Sequence, residues 1–129
     1  MKQLLLLFLL STLLITSCGD DDDDNAIPCD PADVAMTFVG DWNVDDLAGR
    51  AGGTVTFNAD GTGSSSDGGL FETEANGNVS TTFDYELVDN GTALDLDYDN
   101  GFGVRYNITE VTCNRITFEV FGFNLTIRR

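Results

Sequence analysis

From Phe38 to the C-terminus, apolar and polar residues alternate, the period-two pattern of strands with one buried face. Val55 and Phe57 alternate with Thr54 and Thr56. Phe83, Tyr85 and Leu87 alternate with Thr82, Asp84 and Glu86, and Leu94, Leu96 and Tyr98 with Asp95, Asp97 and Asp99. Val104, Tyr106 and Ile108 continue the series, followed by Ile116, Phe118 and Val120 and then Phe123, Leu125 and Ile127. Between these runs lie Ala59-Asp60-Gly61, Asp89-Asn90-Gly91, Asp99-Asn100-Gly101 and Phe121-Gly122, with glycines that tolerate the positive φ of tight hairpins. The pattern predicts eight strands, at about 39–47, 53–58, 62–75, 78–87, 93–99, 103–111, 115–121 and 123–129. The Ser- and Gly-rich stretch from Gly63 to Gly69 makes the third weak, bulged or partly a loop. An up-and-down antiparallel meander of this length closes into a small barrel and hides its edges, so the expected class is all-β. A short helical turn over 34–38 precedes it, with Asp30 as cap, Pro31 in the first turn and Gly40 as the stop.

Charge and composition narrow the chemistry. The 129 residues carry 22 Asp plus Glu against six Lys plus Arg, a formal charge of −16, with no histidine. Such a balance opposes nucleic-acid binding, which needs cations to displace phosphate counterions. Without histidine there is no Ser-His or Cys-His nucleophile pair and no His-ligated zinc. Paired carboxylates remain, but every acid in the clear strands falls on the outward face, where water keeps it ionised. Asp95, Asp97 and Asp99 have the spacing of a calcium loop, yet Asn100 and Tyr106 occupy the positions where that loop needs glycine and glutamate. The reading is a non-enzyme with no cofactor and no metal.

The first segment is an address. Met1-Lys2 and an apolar run from Leu4 to Ile15 match a secretory signal peptide and fall short of the roughly twenty residues that span a bilayer. The run ends at Ile15-Thr16-Ser17-Cys18, which resembles the lipobox of bacterial lipoproteins. That resemblance implies cleavage after residue 17 and acyl chains on Cys18, each buried methylene contributing roughly 0.8 kcal/mol of membrane anchoring. Removing residues 1–17 removes Lys2 and no acid, moving the formal charge from −16 to −17. Asp20 to Asp24 form a self-repelling, solvated tether. An acidic run in this place also resembles the export signal of surface lipoproteins in some Gram-negative bacteria. The expected organisation is a signal peptide at 1–17, an anchor and tether at 18–29 and a barrel domain at 30–129. Its expected location is the outer membrane, facing outward and monomeric, with the membrane as partner through Cys18.

With Cys18 spent on lipid, Cys29 and Cys113 remain for one disulfide in an oxidising compartment, contributing roughly 4 kcal/mol. Strand parity agrees: the turn at Cys113 follows the sixth strand and falls at the end where the first strand begins, near Cys29.

Gly40-Asp41-Trp42 resembles the Gly-x-Trp signature that opens the first strand of lipocalins. Val55-Thr56-Phe57-Asn58-Ala59-Asp60-Gly61 is similar to the second-strand hairpin of small lipocalin-like domains in bacterial lipoproteins. The resemblance spans 38–129, without the family's long helix before the last strand. It implies that Trp42 plugs the closed end with an arginine of the last strand above it. Arg128 or Arg129 stands there by parity, and Arg128 is the residue assigned; arginine over indole contributes roughly 0.5–2 kcal/mol. It also implies a small apolar or amphipathic ligand in the lumen, against Phe57, Phe83, Tyr85, Tyr98 and Tyr106. The same side chains can instead pack the interior, since an eight-stranded barrel is just wide enough for either. The alternative to a ligand carrier is then a filled barrel acting as a structural or protein-interaction module with an unknown partner.

Overall fold

The computed structural model describes Asp30 and residues 32–129. The expected signal peptide, Cys18 anchor and acidic tether, together with Cys29 and Pro31, lie outside the described residues. Helix α1 (Val34–Phe38) is capped by Asp33, whose carboxylate accepts a hydrogen bond from the Met36 amide at 3.1 Å. The expected cap, Asp30, instead accepts from the Ala32 amide at 2.9 Å, one turn too early to reach the helix. Asp33 stands three residues before Met36, the spacing at which a cap side chain meets an unpaired amide.

Ten strands follow: β1 (Gly40–Val44), β2 (Thr54–Phe57), β3 (Thr62–Ser65), β4 (Thr73–Ala75), β5 (Asn78–Ser80), β6 (Thr82–Val88), β7 (Ala93–Tyr98), β8 (Gly103–Thr112), β9 (Arg115–Val120) and β10 (Phe123–Arg128). Eight of them close an antiparallel barrel in the order β1-β2-β3-β6-β7-β8-β9-β10, with β10 returning to β1. β4 and β5 form a separate hairpin inserted between β3 and β6. The expected strands 62–75 and 78–87 are therefore each divided. After Ser65 the chain has small residues with little to hold on the sheet, and it turns inward as a loop, closed by hydrogen bonds from Gly69 N to Ser66 O and Leu70 N to Gly52 O.

The strand directions define two ends. The base holds α1, the turns at 58–61, 89–92 and 113–114, and the C-terminus; the mouth holds the connections 45–53, 66–81, 99–102 and 121–122. The chain joins the barrel at the base. In the last hairpin Phe121 and Gly122 have φ of 51° and 80°, the doubly positive turn that matches strand twist, and it sets Val120 opposite Phe123. In β8 a bulge at Thr109 takes up one extra residue, so the inward series passes from Ile108 to Val111, opposite Ile116. Gly63 is required by a close approach: a Cβ there would lie 2.2 Å from the Phe83 ring.

Candidate functional site

The alternation places Val55, Phe57, Phe83, Leu94, Leu96, Tyr98, Tyr106, Ile116, Phe118, Leu125 and Ile127 inside, all nearly or fully buried. The five residues assigned to a ligand wall join one aromatic network. Phe57 meets Tyr85 edge-on at 5.1 Å and Phe83 at 5.8 Å, and Phe83 meets Tyr98 at 5.3 Å. Tyr85 is half-buried and donates its hydroxyl to the Asn58 carbonyl at 2.7 Å.

Three residues from outside the barrel strands join the network: Phe102, in the 99–102 connection, meets Tyr98 at 6.3 Å, and two others enter along the axis. Phe38, the last residue of α1, enters from the base and contacts Phe57 at 5.3 Å and Phe118 at 5.9 Å. Phe71 enters from the mouth on the 66–72 loop, stacks on Tyr106 at 5.4 Å with the rings 16° apart, and reaches Phe57 and Phe118 at 6.2 and 6.4 Å. Both are 0% exposed. Phe57 on β2 and Phe118 on β9 are thus bridged twice across the lumen. Sequence reasoning missed Phe71 because it lay in an expected strand. The signal was local: Leu70-Phe71 places two large apolar residues side by side after Gly68-Gly69, which breaks the period-two pattern.

Burial disfavours the phenolates. Desolvation pushes the Tyr106 hydroxyl up to about 12 and Tyr98 higher still. After burial, the neighbouring Tyr106 hydroxyl raises Tyr98 further.

At the base, Trp42 is 1% exposed and donates its indole N–H to the Phe38 carbonyl at 2.8 Å. The arginine above it is Arg129, with its guanidinium carbon 4.0 Å from the ring centroid, and not Arg128 as assigned. Arg128 points outward and grips the Asp45 carboxylate at 2.9 and 3.0 Å. The inward register of Leu125 and Ile127 turns residue 128 out and residue 129 in.

The outer wall carries the acids. Asp84 on β6 faces Asp97 on β7 directly, both exposed. Arg105 clamps Asp95 with two bonds of 2.6 and 2.7 Å and reaches Asp89 at 3.3 Å, holding the Asp95 carboxyl below its ordinary value. Arg115 pairs with Glu110. Among the described residues, no group of three or more His, Cys, Asp or Glu is arranged to hold a metal ion.

The mouth is different in character. A recess of about 150 Å³ opens there between Leu47, Leu70, Val120, Phe121 and Phe123, with the Tyr106 ring at its wall. Tyr106 alone of the five assigned residues lines it. Phe121 is 77% and Phe123 54% exposed.

This geometry defines a small closed antiparallel barrel, filled along its axis and apolar at one end. No family model, curated protein or solved structure matches the chain.

Proposed function

We propose that this chain is a lipid-anchored lipoprotein of the outer cell surface whose filled barrel is a protein-interaction module rather than a carrier. The observation that carries the reading is Phe71. Its ring occupies the axial space between Phe57, Tyr106 and Phe118 where a lumenal ligand would sit. A ligand among Phe57, Phe83, Tyr85, Tyr98 and Tyr106 would have to displace that ring and lose its burial, a cost of roughly 1.5–3 kcal/mol. Native mass spectrometry of protein purified from membranes tests this. The mass of the lipidated chain alone is expected; a retained small molecule would return carriage to first place.

The proposal includes the Cys18 anchor and the Cys29–Cys113 disulfide. Cys113 sits in the β8–β9 turn at the base, the end at which the chain enters the barrel. Cys29 is expected at that end, one residue before Asp30. Cys18→Ala should move the protein from the membrane to the soluble fraction, and Cys29→Ser should lower Tm by several degrees. Unchanged behaviour in either would remove that element of the proposal.

A further inference from the structure

Resting on the reading of the barrel as an interaction module, we infer that its mouth is the docking surface. The partner it fits is a basic polypeptide segment presenting one large apolar side chain. The recess volume of about 150 Å³ is that of a cavity that takes a benzene-sized ring. Its walls are left uncovered: Phe121 and Phe123 are the exposed aromatic rings of the described residues. Phe121 also holds φ at 51°, in a turn position that asparagine or glycine occupies with less strain. An aromatic ring kept exposed and in a left-handed backbone is a costly choice for a turn, and contact with a partner accounts for it.

Charge selects the partner. The recess itself is lined by no acid, but acids sit at the same end: Asp46 lies in the connection that carries Leu47, Asp67 and Glu72 lie in the loop that carries Leu70, and Glu119 accepts from the Gly122 amide at 3.0 Å, in the turn that carries Phe121. Asp46 and Glu72 likewise accept from the amides of Gly52 and Gly68 and hold their carboxylates at the mouth. The guanidinium of Arg50, in the same connection as Leu47, is used internally, donating to the Gly69 carbonyl at 2.9 Å. A second copy of this chain would bring the same acids against them, and an anionic lipid surface would be repelled likewise. The chain joins the barrel at the opposite end, so the proposed anchor is attached at the base and not at the mouth.

The test uses the lipidated chain in phosphatidylcholine nanodiscs and fluorescein-labelled Lys-Lys-Phe-Lys-Lys amide, followed by fluorescence anisotropy. The peptide is expected to bind, and its affinity to fall about tenfold with alanine in place of phenylalanine. Glu-Glu-Phe-Glu-Glu should bind no better than the alanine peptide, and 0.5 M salt should weaken the basic peptide. Phe121→Asn, which suits the turn, and Phe123→Ser, at a half-exposed position, should each weaken binding severalfold without lowering Tm. Equal binding of the acidic peptide, or wild-type binding by both variants, would overturn the inference. So would self-association abolished by these variants, which would assign the mouth to a second copy. Failure here is separable from failure of the interaction-module reading, since that would show as a retained small molecule in native mass spectrometry whatever the peptide does.

Discussion

The guanidinium of Arg129 lies 4.0 Å from the centre of the Trp42 ring, so the C-terminal residue covers a side chain of the first barrel strand. The same guanidinium donates to the carbonyls of Thr37 and Val39 at 2.8 and 2.5 Å, while the Trp42 indole takes that of Phe38. The last turn of α1 leaves its carbonyls without helical partners, and these two side chains satisfy them. One clasp therefore locks helix, first strand and C-terminus together at the base. Arg129→Ala should cost about 2 kcal/mol from the lost cation–π contact and hydrogen bonds. Arg128→Ala breaks only an exposed pair with Asp45 and should cost less than about 1 kcal/mol. Urea denaturation of the two variants checks the order, and equal losses would contradict the clasp.

Phe71 is the side chain whose removal should matter most to the interior. Phe71→Ala is expected to cost about 3–5 kcal/mol and to leave an apolar cavity along the barrel axis. Denaturation gives the first quantity, and binding of benzene, followed as a rise in Tm, reports the second. A loss under about 1 kcal/mol without benzene binding would mean that the 66–72 loop does not fill the lumen.

The buried phenols set an alkaline limit. Both Tyr98 and Tyr106 have hydroxyls raised above the ordinary value of 10.0 by burial. Above that value the unfolded chain loses phenolic protons that the folded chain retains, so stability is full below pH 10.0 and falls as pH rises towards about 12, where Tyr106 ionises in the fold. Absorbance at 295 nm should therefore show the ionisation of Tyr98 and Tyr106 together with the loss of far-ultraviolet circular dichroism. Phenolate from all the tyrosines near pH 10.0 with the fold intact would refute the burial.

Asp84 and Asp97 face one another across β6 and β7 as like charges. Asp97→Lys turns that repulsion into attraction and should stabilise the barrel by about 0.5–1 kcal/mol. Added salt should raise the Tm of the native chain more than that of the variant, because it screens the repulsion only in the former. Thermal melts at two ionic strengths decide it.

Much of this architecture was legible before any coordinates. Leu94, Leu96 and Tyr98 against Asp95 and Asp97 leave no choice of face, because a one-residue slip would bury the aspartates. Phe121-Gly122 and Asp99-Asn100-Gly101 mark hairpins through the backbone angles glycine permits. Less legible were features that depend on distant partners. Asp30 and Asp33 are equally plausible caps until the path of the chain shows which carboxylate reaches an amide. For Arg128 and Arg129 the alternation of Leu125 and Ile127 already turns residue 129 inward, but only the assembled base shows the Trp42 ring and the Thr37 and Val39 carbonyls that its guanidinium meets. Of the five residues assigned to a ligand wall, all lie in one aromatic network, but only Tyr106 reaches the mouth.

Sequence by itself determined the barrel: periodicity two, eight apolar runs and glycine at the turns are local properties, each enforced within a few residues by sterics and by the cost of burying charge. Tertiary structure decided how the interior is occupied. Whether Phe38 and Phe71 lie on the surface or along the axis is set by the space left between Phe57 and Phe118, strands apart in sequence and opposed across the lumen. Close packing is a property of the assembled volume, and no short window of sequence contains it.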